Sequence, residues 1–329
     1  MTPKAQEAVS LSSLLFVYAI IPLALGVVWA DQTVWNQAVR FNLPFIPEAW
    51  VVWIYLFGMP HVVASMHTLA DREYLSFYGA KLFWLVAFFL ALPIVVTQAV
   101  GATAMFLIFT AFIVYHTVAQ QYGIAFAALR QKPTVVHTIW KWSAVGVGAA
   151  LFAMIYTRPF PLALQTASEG RAVLLWIAGI LLAANVLAGA ALMRSARGNR
   201  VGIQHVAVCT AMMVTEVILF VQGYFALVVI LGRVIHEFTA WHIYATHDRN
   251  RNLREAPNLL FRAFRVTGIP VYLLSIILAF AVGIALTYGL LQFTATASLL
   301  VSVSLIHYYI ESFLWKSGSI HRRHLRFIS

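Results

Sequence analysis

Runs of about twenty apolar residues recur along this chain, from Val9–Ala30 to Ala297–Trp315, and they leave few folds open. A helix rises about 1.5 Å per residue, so such a run matches the roughly 30 Å hydrocarbon core of a bilayer. Hydrophobic residues make up 62% of the chain and charged residues only 10%, with a mean hydropathy of +0.84. A soluble domain carries about 25% charged residues, so that class is excluded. The expected fold is all-α, a polytopic transmembrane helical bundle forming a single integral membrane domain over residues 1–329.

The spans are expected at Val9 to Ala30, Glu48 to Ala70, Lys81 to Ala99, Ala102 to Leu129, Val135 to Tyr156, Ala172 to Met193, Gly202 to Phe220, Tyr224 to His247, Val266 to Leu291 and Ala297 to Trp315. That makes about ten. The first run could pass for a signal peptide, but no small-residue cleavage site follows it, and it reads as a retained helix. Basic residues outnumber acidic ones 22 to 11, a balance that elsewhere would suggest nucleic acid. Here they fall in short loops. Eighteen lie in alternate loops and only Arg40, Arg158 and Arg171 in the others, with Arg233 inside a span and Lys4 among the eighteen. This is the positive-inside pattern, and it predicts both termini to be cytoplasmic and no nucleic-acid partner. Ser317–Ser329 reads as a basic cytoplasmic tail near anionic headgroups of the membrane lipids. The single cysteine, Cys209, lies in an apolar run, so neither a disulfide framework nor a thiolate metal site is expected.

Eleven histidines are present, and their depth matters more than their number. His137 and His205 lie near helix starts and His321 and His324 in the basic tail, positions that suit interfacial or solvated side chains. His61, His116, His236 and His307 lie deep, on four spans of the same direction. The nearest inner charges are ten, fourteen, twelve and nine residues on, at Asp71, Arg130, Asp248 and Lys316. These separations place all four at about 13 to 21 Å from the inner surface. Ionisable groups at such depth face the bundle interior and mark functional sites. Four imidazoles at one level can surround a metal ion, and with no thiolate nearby, imidazole and carboxylate suit iron, zinc, copper or manganese.

Helical spacing supplies supporting groups. Glu311 lies four residues after His307 and Gln120 four after His116, so each pair shares a face. Glu216 falls near mid-depth, where it could orient a ligand, bind the metal or pair with Arg233. Glu237 adjoins His236. His67, His242 and His247 lie nearer the cytoplasmic ends, as a second site, a proton path or interfacial groups with Asp248 and Arg249. His236 and His247 stand about 16 Å apart along one helix, too far for one ion. In Gly58-Met59-Pro60-His61 the proline kinks the helix and aims the histidine that follows it. Trp53, Tyr115, Trp241, Tyr308 and Phe313 are candidates to line a substrate tunnel.

At these residues the chain resembles the Brp/Blh family of bacterial membrane β-carotene 15,15′-dioxygenases. The likeness is carried by Gly58-Met59-Pro60-His61, Val114-Tyr115-His116-Thr117, Val234-Ile235-His236 and Ile306-His307 through Glu311 to Lys316, in the family's order. It covers about 35 residues of the 329. Ala240 stands where the family has a second histidine, with His242 the nearest substitute, and Ser65 replaces an acidic residue. The resemblance implies a bacterial inner-membrane, multi-pass protein that binds non-haem iron through histidines. It also implies an oxygenase taking dioxygen and a lipophilic substrate, carotenoid cleaved to retinal in the family. The ligand set is rebuilt most simply from His61, His116, His236 and His307. A redox partner would dock on the basic inner face.

Two other classes remain open. A di-metal desaturase or hydroxylase uses clustered histidines, but no His-His pair occurs, and only His242 and His247 have a comparable spacing. A non-enzymatic haem carrier, transporter or proton-handling protein would use the same deep histidines differently.

Overall fold

The computed structural model describes residues 6–156, 167–253, 256–291, 296–316 and 318–328. Lys4, Arg158 and Arg254 of the charge pattern, and Ser317 and Ser329 of the tail, lie outside the described residues. The long helices are α1 (Leu11–Thr33), α2 (Met59–His67), α3 (Arg72–Ala99), α4 (Ala102–Leu129), α5 (Val135–Tyr156), α6 (Ala167–Ser195), α7 (Arg200–Val221), α8 (Phe225–Arg251), α9 (Val271–Leu291) and α10 (Thr296–Leu314). Among the described residues eight helices are long and apolar enough to cross a membrane, so the protein is a multi-pass membrane protein of the all-α class.

Two of the ten expected spans fall outside those eight. The run Glu48 to Ala70 is broken, with α2 preceded by a π-helical turn over Ile54–Gly58. Pro60 has no N–H to donate into that turn, and the local widening absorbs the missing bond. The last run forms α10, whose apolar stretch Ser298–Leu314 is a shorter helix. Other boundaries also move. α3 begins at Arg72, nine residues before the expected Lys81, because the Asp71 carboxylate accepts from Glu73 N at 2.9 Å and caps its first turn. α9 begins only at Val271, since the preceding 3-10 turn closes at Gly268 with φ +68°, a left-handed conformation open to glycine.

By compactness the chain divides into two units. The first comprises Met1–Val9, Val51–Phe109 and Glu237–Ile328. Here α3 packs against α10 through Tyr74, Tyr78, Leu85, Phe89, Leu305, Ile306, Ile310 and Leu314. α9 approaches the kink of α2 so closely that a Cβ on Gly283 would come 2.6 Å from Pro60 N. Glycine is therefore required where these backbones meet. In the tail Arg326–Ile328 pairs as a strand with Ala8–Ser10, and His321 is fully buried, not the interfacial or solvated side chain expected.

The second unit comprises Ser10–Trp50 and Thr110–His236. α5, α6 and α7 pack around Asn185, whose amide donates to Trp140 O at 2.6 Å and to Tyr122 Oη at 3.1 Å. Buried polar groups must be paired in this way, each bond contributing about 0.5–1.5 kcal/mol net. His205 Nε2 donates to Leu11 O at 2.8 Å, and His137 Nδ1 accepts from Thr134 N at 3.1 Å. Both are buried, so they are helix-packing histidines and not the interfacial ones expected from sequence.

Candidate metal centre

In the first unit the kink at Pro60 delivers His61 into the interior, and α10 presents His307 and Glu311 one turn apart on one face. All three are buried. One ligand atom from each lies within 4.8 Å of the others. His61 Nε2 and His307 Nε2 each stand 3.9 Å from Glu311 Oε1, and the two imidazoles meet edge to face with centroids 4.5 Å apart. Glu237 Oε2 lies 3.9 Å from His61 Nδ1. A buried histidine and glutamate group able to hold a metal ion is thus present.

Ser65, one turn after His61, holds the His307 ring through Nδ1. Its hydroxyl donates its single hydrogen to Val62 O at 2.8 Å. Toward His307 Nδ1, 2.6 Å away, Ser65 Oγ can then only accept. With the hydroxyl hydrogen on Val62 O, His307 takes the Nδ1–H tautomer and carries its ring lone pair on Nε2, the atom facing Glu311 and His61. A metal ligand requires that arrangement, with the non-ligating nitrogen held by a neighbour. The donor set fits a metal.

In the second unit His116 and His236 meet edge to face with centroids 4.6 Å apart. Both are buried, and each brings a ring nitrogen within 4.8 Å of the other. Glu216 is buried against Gly232, where a Cβ would fall 2.8 Å from its Oε1. Gln120 accepts from the Gln121 amide at 3.1 Å.

The remaining candidates separate. His242 turns to the Tyr272 hydroxyl at 3.0 Å and does not join His61 and His307. Ala240 is fully buried in an apolar cluster. His247 has both nitrogens engaged, Nδ1 donating to Asp248 Oδ1 at 3.1 Å and Nε2 accepting from the Tyr74 hydroxyl at 3.1 Å. Asp248 also receives His67 Nε2 at 3.0 Å and the Ser275 hydroxyl at 2.8 Å. His247 has no lone pair left for an ion.

Of the five tunnel candidates, Trp53 and Trp241 meet on Phe57, stacked at 4.6 and 6.2 Å. Tyr115 is 38% exposed and stacks on Trp142, so it faces outward. Phe313 lies under the Lys81 ammonium at 3.8 Å, and Tyr308 stacks with Phe109. Sequence reasoning overlooked Phe57, Phe280, Tyr244 and the role of Ser65. Ser65 was readable as the fourth residue after His61, and Tyr244 as the third after Trp241. No family model matches this chain, and neither a curated protein nor a solved structure matches it.

Proposed function

We propose that the protein is a membrane-embedded non-haem iron oxygenase acting on a lipid-phase substrate. The observation that carries this reading is the group His61, His307 and Glu311, two imidazoles and one carboxylate buried together in one unit. Two histidines and a carboxylate with open positions are the donor set of non-haem iron oxygenases. Glu311, expected from sequence as a supporting group, is here read as a ligand. His116 and His236 are included in the ligand set on the sequence argument of equal depth alone. A bound iron would supply the redox chemistry for activating dioxygen.

The chain's own contributions are positioning and exclusion. Ser65 holds the His307 ring, and the Pro60 kink sets His61. The aromatic cluster of Trp53, Phe57, Trp241 and Phe280, with rings 4.6 to 6.2 Å apart along the series, offers apolar walls suited to a long hydrophobic molecule. Carotenoid cleavage to retinal is the specific form of this proposal. It rests on the motif resemblance.

The test is metal content per chain in gently solubilised protein, with an absorption spectrum on the same sample. About one non-haem iron per chain is expected from one ligand group. Two metals per chain, a haem spectrum, or no metal after controls for stripping would each overturn the reading. Undiminished β-carotene in a carotenoid-producing host making iron-loaded protein would remove carotene as the substrate and leave the metal site.

A further inference from the structure

A buried indole N–H or phenol O–H without an acceptor costs about 1–3 kcal/mol, and native proteins hold few of them. In the first unit three occur in one apolar cluster. Ala64, Ala240, Trp241, Tyr244 and Ala279 form it, with Phe57, Phe280 and Trp315 packed against it. Trp241 Nε1, Tyr244 Oη and Trp315 Nε1 are buried and have no hydrogen-bond partner among the described residues. Trp241 and Tyr244 lie three residues apart on α8 and share a face. The Tyr244 ring is 5.3 Å from Trp315 and 6.0 Å from His61, so the cluster adjoins the metal group.

Neighbouring donors in the same unit are satisfied. The Tyr74 hydroxyl reaches His247, the Tyr272 hydroxyl reaches His242 and the Ser275 hydroxyl reaches Asp248. The other members of the cluster are alanines and phenyl rings, whose side chains have no acceptor to offer. An apolar wall carrying a few fixed donors is how a site orients a mostly hydrophobic ligand.

We propose that Trp241, Tyr244 and Trp315 recognise acceptor oxygens on the lipid-phase ligand. The ligand is then a long apolar molecule bearing carbonyl or hydroxyl groups, an oxygenated carotenoid in place of the hydrocarbon β-carotene. This rests on the reading of His61 and its partners as the reaction centre and narrows its substrate class. A site built to hydrogen-bond a ligand oxygen rejects the analogue that lacks it, because its own donors stay unpaired.

The experiment compares binding of β-carotene with its diketo and dihydroxy counterparts, canthaxanthin and zeaxanthin, to the full-length protein, with metal content measured on the same samples. An oxygenated ligand is expected to bind about tenfold or more tighter than the hydrocarbon. Tyr244→Phe should remove most of that preference while leaving hydrocarbon affinity and metal content unchanged. Trp315→Phe serves as a second variant should Tyr244→Phe fold poorly. Equal binding of all three, binding of none, or an equal loss for all three in the variants overturns the proposal. Equal binding with iron retained removes this inference alone, whereas a retained oxygen preference in protein that takes up no metal removes the oxygenase reading alone.

Discussion

The first unit contains two buried histidine centres with opposite hydrogen-bond arrangements. Around Asp248 the groups satisfy one another: His67, His247 and Ser275 all donate to one carboxylate, and Tyr74 donates to the far nitrogen of His247. Around Glu311 the same residue types sit at a wider spacing. His61 and His307 stand 3.9 Å from the carboxylate, beyond hydrogen-bond range, while a serine holds the far nitrogen of His307. A carboxylate ringed by donors at 3 Å is a structural clamp. Imidazoles held nearly 4 Å from a carboxylate leave room for an ion between them. Burial alone does not separate the two, since both centres are buried.

The largest test of this contrast exchanges their losses. His61→Ala and His307→Ala should each drop metal content from about one per chain to near zero, because a ligand and its geometry vanish together. Asp248→Ala should retain the metal in its folded fraction yet lose about 3–5 kcal/mol of stability, as its buried partners become uncompensated. Metal analysis and denaturant unfolding on the same variants read both. Metal loss on Asp248→Ala, with folding intact, would erase the distinction.

A finer test touches the tautomer. Ser65→Ala removes the acceptor for His307 Nδ1–H and should weaken metal affinity about 10–100-fold while the helix persists. Competition with a chelator of known affinity measures it. An unchanged affinity would mean that the ring is oriented by packing alone.

The smallest effect concerns the tail docked beside the Asp248 centre. Burial, with His247 alongside, pushes His321 down to about 2, and burial pushes His324 down to about 4. The unfolded value is about 6.5, so below that pH the undocked segment binds protons that the docked one refuses. Docking should therefore be fully stable above about pH 6.5 and weaken as the pH falls, by at most about 1.4 kcal/mol per pH unit for His321. Hydrogen exchange over residues 318–328 at pH 7.5 and 5 reads it. Protection that does not fall with pH would place His321 in solvent after all.

Much of the fold was legible because lipid imposes a local rule: each apolar run must satisfy its own backbone, so helices follow from composition and length. The run holding His61 escaped that rule, since Pro60 and a π turn shorten its helix, and α9 packs against the break through Gly283. The depth of His307 and its spacing to Glu311 were readable, because both follow from rise per residue on one helix. The allocation of the other histidines was not. His321 appeared as a tail residue and is fully buried; His242 appeared as a substitute ligand and bonds Tyr272.

By itself, then, the sequence determined a multi-pass helical protein with deep histidines and a glutamate on a shared face. These depend on interactions within four residues of one another or on the solvent. Only the tertiary structure decided that His61 joins His307 and Glu311, that Ser65 bonds the His307 ring, and that three aromatic donors are buried without acceptors among the described residues. Those relations hold between α2, α8 and α10, separated by up to about 250 residues of chain. Pairing across such distances is set by side-chain packing, which no local periodicity encodes.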